Sequence, residues 1–233
     1  MENLFLSLSF NEDISNWNVS KVTNMWCMFY GATVFNKPLN SWDVSKVTNM
    51  NAMFRNAQIF NQSLNNWNVS KVTRMYRMFR DAHKFNGAIG NWDTSNVNNM
   101  AGMFTCWGTG GGVFNQNIGG WDTSKLTTIG SMFASQVNFN QSLNNWDVSK
   151  VIFSNATFLN AQNYDQPLNE WDVSNVVNMK NMFMMASKFN EPLSNWNISK
   201  VTRIQGMFSE ASVFNQNIEH WNCLLYTSPS PRD

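Results

Sequence analysis

Apolar residues recur along the chain at fixed offsets from a repeating tryptophan. Counted from each Trp as position 0, they fall at +2, +5, +8, +11, +12, +15, +18 and +22, as in Trp42, Val44, Val47, Met50, Met53, Phe54, Ala57, Phe60 and Leu64. The tryptophans are Trp17, Trp42, Trp67, Trp92, Trp121, Trp146, Trp171, Trp196 and Trp221, spaced 25 residues apart except for one step of 29 between Trp92 and Trp121. A constant period in this range marks a repeat array, in which each unit buries its apolar face against its neighbours. The array is one domain over residues 1–222, with eight full repeats from Trp17 and partial coils at both ends, while residues 223–233 match nothing in it.

Two periods alternate within each repeat. Leu39, Trp42 and Val44 end in the alternation of a half-buried strand. Met50, Met53, Phe54 and Ala57 are spaced i, i+3, i+4, i+7, one face of a helix. The serine at +3 (Ser45 and its equivalents) sits at the switch, where its oxygen would cap the helix. The pattern therefore predicts an α/β fold: a right-handed solenoid of 25-residue coils, each a short strand, a serine cap, about three helical turns and a return loop. Helices are ~10 Å wide and parallel strands ~4.8 Å apart, which places a parallel sheet of short strands on the concave face. A β-helix without helical turns is the alternative.

Polar residues also form columns. Asn11, Asn36, Asn61, Asn86, Asn115, Asn140, Asn190 and Asn215 follow the aromatic at +18, with Asp165 in their place once. Buried polar groups need partners, so this column is expected to bond the backbone of adjacent coils, with its order broken only at Asp165. The +1 column reads Asn18, Asp43, Asn68, Asp93, Asp122, Asp147, Asp172, Asn197 and Asn222. It alternates with Trp and Val and so points outward. Asp43, Asp93, Asp122, Asp147 and Asp172 form a candidate ligand-binding ribbon, the last four in consecutive repeats. Nearby lysines at +4 offset their charge, although exposed pairs contribute only ~0–1 kcal/mol. Calcium wants roughly six to eight oxygens, and one carboxylate per coil is too few.

Two repeats depart from the pattern. After Phe104 the chain is four residues longer than its counterparts, and Gly108 to Gly112 make this insertion a predicted flexible bulge. The sixth repeat puts Ser154 and Thr157 where methionines belong, and it is expected to be the least stable of the middle coils.

Charged residues are only 13% and the net charge is +1, which argues against the clustered basic surface of a nucleic-acid binder. Cys27 and Cys106 are three repeats apart, beyond disulfide reach, and with Cys223 they lack metal spacing, so three unpaired thiols are expected. His83 and His220 are five repeats apart and read as solvent-facing loop residues. The glycines of the insertion lack the lysine of a phosphate loop. No catalytic, cofactor-binding or metal-binding residues are therefore expected, because nothing converges on one pocket. No run approaches the ~20 apolar residues of a membrane span, and the first eight residues make a poor signal peptide. Residues 1–5 match 179–183, so the chain opens midway through a coil, and uncapped coils are expected to permit end-to-end self-association.

Leu39-x-x-Trp42-x-Val44-x-x-Val47 resembles the leucine-rich repeat consensus, with Trp at the second leucine. More closely, Trp-Asp-Val-Ser-Lys-Val-Thr-Asn-Met-x-x-Met-Phe-x-x-Ala-x-x-Phe-Asn-Gln is similar to the BspA-type leucine-rich repeat surface proteins, whose repeat is also called DUF285. The likeness covers about residues 1–222 and recurs eight times. It implies a leucine-rich-repeat-like solenoid at the cell surface or secreted. It also implies a non-catalytic module for adhesion or recognition, binding a protein or a glycan through its polar concave face. A purely structural spacer is the alternative. The tail from Cys223 to Asp233 resembles translated adapter read-through or a disordered segment.

Overall fold

A computed structural model describes residues 1–108 and 110–221. The expectations for Asn222 and for the tail lie outside them. Among the described residues there is no α-helix, and the only extended pairing is a row of single-residue parallel bridges: Asn24, Asn49, Arg74, Asn99, Thr128, Phe153, Asn178 and Arg203, each joined to the next. The predicted α/β coil with a parallel sheet is therefore not what this sequence forms. The chain is instead a stack of 25-residue coils built from turns.

The backbone accounting explains why. In the segment from +8 to +14 every second amide points to the next coil: Met50 N–H donates to Arg74 O, Ala52 to Tyr76 O, Phe54 to Met78 O and Asn56 to Arg80 O, at 2.7–3.0 Å. The amides between them close turns within the coil, Met53 N–H to Met50 O, Arg55 to Ala52 O and Ala57 to Phe54 O. The remaining amide, at +9, is taken by a side chain: Asn51 N–H donates to Asn49 Oδ1 at 3.1 Å. Where Arg74 leaves no acceptor at +7, Tyr76 N–H turns to Asn51 Oδ1 of the preceding coil at 2.9 Å. Each donor has found a partner, so a helix has nothing to add.

These turns need residues in the left-handed region, and they fall at +10 and +14. Ala52 has φ 52° and Asn56 φ 57°, and the pair Arg77 and Asp81 repeats this at 55° and 58°. A left-handed residue at the third position of a four-residue turn is the signature of type II turns. For a non-glycine residue that conformation costs roughly 1–2 kcal/mol, offset here by an amide bond to the next coil from each of the same residues. Successive turns with i→i+3 bonds place Met50, Met53, Phe54 and Ala57 on one side, as a helix would. The apolar spacing therefore did not distinguish turns from helix.

The predicted strand at Trp-x-Val fails for a different reason. There the backbone amides close turns within the coil instead of reaching the next one: Trp67 N–H donates to Leu64 O and Val72 N–H to Val69 O. The rings stack between coils, with centroids 6.4 Å apart at Trp67 and Trp92. The indole makes a link between coils: Trp67 Nε1 donates to Leu39 O at 2.8 Å, Trp92 to Leu64 O at 2.8 Å and Trp171 to Leu143 O at 2.8 Å. Trp42 to Trp196 are 2–3% exposed, core residues as expected from the pattern, whereas Trp17 is 39% exposed. One apolar cluster runs from Phe5 to Trp221.

The asparagine column holds as the sequence predicts. Asn36 N–H donates to Asn11 Oδ1, Asn61 to Asn36 Oδ1 and so on up the stack. Its order is not broken at Asp165, because Asp165 N–H donates to Asn140 Oδ1 and Asn190 N–H to Asp165 Oδ1, both at 3.0 Å. Only the acceptor oxygen is used, and Asp supplies one as well as Asn does. In the sixth coil Thr157 Oγ1 donates to Ser154 O at 2.7 Å, so the buried hydroxyl is satisfied.

Candidate functional site

The serine at +3 has no helix to cap. It is itself closed by the +1 side chain, in a turn where Oδ1 accepts the amide two residues on. Ser45 N–H donates to Asp43 Oδ1, Ser95 to Asp93, Ser124 to Asp122, Ser149 to Asp147 and Ser174 to Asp172, at 2.9–3.1 Å. All five carboxylates of the predicted ribbon are exposed. The serine hydroxyl and amide hold Asp43, Asp122 and Asp172 below the usual aspartate range. Asn18, Asn68 and Asn197 make the same bond. The row thus has a local task, which one oxygen of each side chain performs whether or not it is charged.

A different surface concentrates chemistry. The bridged ribbon of the first three coils (17–91) carries Trp26, Tyr30, Arg55, Arg74, Tyr76, Arg77 and Arg80, four of the six arginines in the sequence. The turns fix their spacing, because +7, +9 and +13 face outward while Met50, Met53 and Phe54 face the core; Arg77, at +10, is half-buried. The Arg55 guanidinium lies over the Tyr30 ring at 5.0 Å and that of Arg77 over Tyr76 at 4.5 Å. Arg80 Nε is 3.2 Å from Asp81 Oδ2, the one ion pair among the described residues. Burial, with Arg80 and Arg55 nearby, lowers the Arg77 pKa. Arg55, Arg74 and Arg77 share this surface with no ion pair among the described residues, while Arg80 is paired with Asp81.

The insertion borders this surface and is anchored at its two ends. Trp107 N–H donates to Asp81 Oδ1 at 2.9 Å, and Gly112 N–H to Ser135 O at 2.9 Å. Gly111 has φ 61°, and a Cβ there would lie 2.5 Å from Ser135 O, so only glycine fits. The lengthened coil lacks the usual alanine turn at +15, which elsewhere takes the N–H of the aromatic at +18 and donates to the carbonyl at +12, as Ala82 does for Phe85 and Phe79. Gln136 of the next coil substitutes for it: its Oε1 accepts Phe114 N–H at 3.0 Å and its Nε2 donates to Phe104 O. Trp107, 42% exposed, stands between a hollow of about 320 Å³ walled by Tyr30, Arg55 and Arg80 and one of about 370 Å³ walled by Tyr76, Arg77 and Arg80.

His83 was expected to be a solvent-facing loop residue. It is half-buried, with Nδ1 3.0 Å from Cys106 Sγ and 3.4 Å from Gly111 O. The pair is not a nucleophile and base. Cys106 is fully buried, and burial, reinforced by Asp81, pushes its thiol up to about 12. A protonated thiol closed to solvent packs and hydrogen-bonds but does not attack. Cys27 and Cys106 are free and buried, whereas Cys223 lies outside the described residues, and His220 is exposed. Among the described residues no group of three or more His, Cys, Asp or Glu could hold a metal ion, and no helix is long and apolar enough to cross a membrane.

The arginine and aromatic cluster was missed at the sequence level because each residue was read within its own repeat. Read down columns +7, +9 and +13, the first three coils hold Arg or an aromatic at six of nine positions, with Arg77 beside them at +10, where later coils hold mainly Ala, Gly, Asn, Thr or Ser.

The repeat matches a known family along almost the whole chain. Residues 1–109, 89–178 and 142–228 each match the family described as "Mycoplasma protein of unknown function, DUF285". Among curated proteins none matches. Three overlapping matches cover nearly the full array, and the chain belongs to the DUF285 family.

Proposed function

We propose that this chain is a non-catalytic interaction module of a BspA-type surface or secreted protein, binding a protein or a glycan. The observation that carries this reading is the arginine and aromatic ribbon beside Trp107, set on a backbone pinned by inter-coil bonds at every second residue. Preorganised guanidiniums and exposed aromatics are what recognition surfaces enrich, because they give large contact areas at low entropic cost. A catalytic reading lacks, among the described residues, a solvent-accessible nucleophile paired with a base: Cys106, beside the half-buried His83, is closed to solvent. The acidic row is placed second, since its side chains already serve their own turns.

The test is an array of extracellular proteins and glycans probed with the native chain and with the triple variant Arg55→Gln, Arg77→Gln, Arg80→Gln. Selective binding that the variant loses supports the module. A native chain that retains nothing selectively is a structural spacer. Binding abolished instead by changing Asp93, Asp122, Asp147 and Asp172 to Asn would move the site to the acidic row.

A further inference from the structure

The ribbon has a chemistry more specific than general recognition. Its cationic groups are all arginines: Arg55, Arg74, Arg77 and Arg80. The guanidinium is a planar fork that takes sulfate or carboxylate oxygens in pairs, and a flat ring beneath it restricts where the fork can point. Tyr30 and Tyr76 are such rings, at 5.0 and 4.5 Å. Asp81 pairs with Nε of Arg80 and its other oxygen holds the Trp107 amide, so it offsets one of the four arginine charges and fixes the rim, while Arg55, Arg74 and Arg77 make no ion pair among the described residues.

The second feature is exposed indole. Trp26 is 44% exposed and Trp107 42%, against 2–3% for the repeat tryptophans from Trp42 to Trp196. The sequence thus spends two further tryptophans outside the core, on the face that carries the arginines. An indole left in water beside arginines offers a flat apolar platform, and the apolar C–H face of a pyranose ring fits it. The two hollows of about 320 and 370 Å³ meet at Arg80 and Trp107, so ring and charge contacts alternate along one path. Trp26 to Trp107 spans four coils, about 15 Å at the ~4.8 Å spacing of bridged backbone, which suits a short run of sugar residues. Nucleic acid fits less well: four arginines on a chain of net charge +1 give a small counterion-release term.

We infer that this ribbon binds an acidic polysaccharide, its sulfate or carboxylate groups held by Arg55, Arg77 and Arg80 and its sugar rings stacked on Trp107 and Trp26. This rests on the interaction-module reading and names its ligand class.

The test is calorimetric titration of the whole chain with four probes: a heparin-type sulfated oligosaccharide, its desulfated carboxylate form, a neutral oligosaccharide of equal length, and polyglutamate. The acidic sugars should bind, and the neutral sugar should not. Arg77→Lys keeps the charge but loses the fork, and it should weaken binding about tenfold, the loss of one paired contact. Trp107→Ala should weaken it by a similar factor that persists in high salt, unlike the arginine contribution. Arg203→Gln, in the Arg74 column but five coils away, should change nothing and shows that folding and net charge are not being read. Equal binding of polyglutamate overturns the sugar assignment while the interaction-module reading stands. Binding that is indifferent to Trp107→Ala, or absent for every probe, overturns the inference. The module reading fails separately, only if the protein and glycan array is also blank.

Discussion

Gln136 offers a sharp test of how an insertion is absorbed by a repeat. Gln136 is 3% exposed and stands where other coils have alanine, satisfying Phe114 N–H at 3.0 Å and Phe104 O. Gln136→Ala would orphan both buried backbone groups. Each unsatisfied buried donor or acceptor costs about 1–3 kcal/mol, so the variant should lose about 2–6 kcal/mol in denaturant unfolding. The informative step is a double-mutant cycle. Replacing residues 107–113 with the Ala-His-Lys that occupies residues 82–84 of the preceding coil restores the regular repeat length, and Ala at +15 again supplies both backbone partners. In that shortened chain Gln136→Ala should cost less than ~0.5 kcal/mol or stabilise. A coupling energy of at least ~1.5 kcal/mol between the two changes is therefore expected. Equal cost in both backgrounds would refute the splint, as would a cost under ~0.5 kcal/mol in the natural chain.

Two further outcomes follow from the columns. Tyr164 stands in the aromatic column between Phe139 and Phe189, fully buried, with no hydrogen-bond partner for its hydroxyl among the described residues. Tyr164→Phe should therefore raise stability by about 1–2 kcal/mol in the same unfolding assay, and a loss of stability would show that the hydroxyl has a partner. Asp43, Asp122 and Asp172 have carboxyls lowered from 3.8 first by the serine hydroxyl, so their contribution is complete above the unfolded value and fades as pH falls through the lowered one. The unfolding midpoint should be flat down to about pH 4 and decline below it. Changing the three to Asn keeps the accepting oxygen and should flatten that decline, whereas an unchanged acid limb would place the titration elsewhere.

The sequence made the repeat, the buried columns and the asparagine ladder legible, since each depends only on which side of the coil a residue faces. It did not make the backbone path legible. Met50, Met53, Phe54 and Ala57 have helical spacing, but chained four-residue turns produce the same side. The signal that separates them is weaker: Gly31, Asn56, Asp81 and Asn160 at +14, and Gly102, Asn181 and Gly206 at +10, residue types that tolerate positive φ. Seven of the eight repeats carry such a residue at one of these two points, which helices seldom do. The Trp-x-Val alternation was read as strand because it encodes burial alone. The amides of Trp67 and Val72 close turns inside the coil, and the indole Nε1 makes the link to the neighbour. The site was hidden in another way, since contacts such as Cys106 with His83 and Asp81 with Trp107 join neighbouring coils and emerge only when the register of the stack is known.

One amide decides between the two backbone paths most directly. Scalar coupling across the hydrogen bond identifies the carbonyl that Phe54 N–H meets. In the stacked-turn coil that carbonyl belongs to Met78 of the next repeat, at 2.8 Å. In a helix it would be that of Met50, four residues back. Coupling from Phe54 N to the Met78 carbonyl carbon, repeated from Phe79 to Met103, is the expected result. Coupling to Met50 would contradict the turn-built stack and restore the helix.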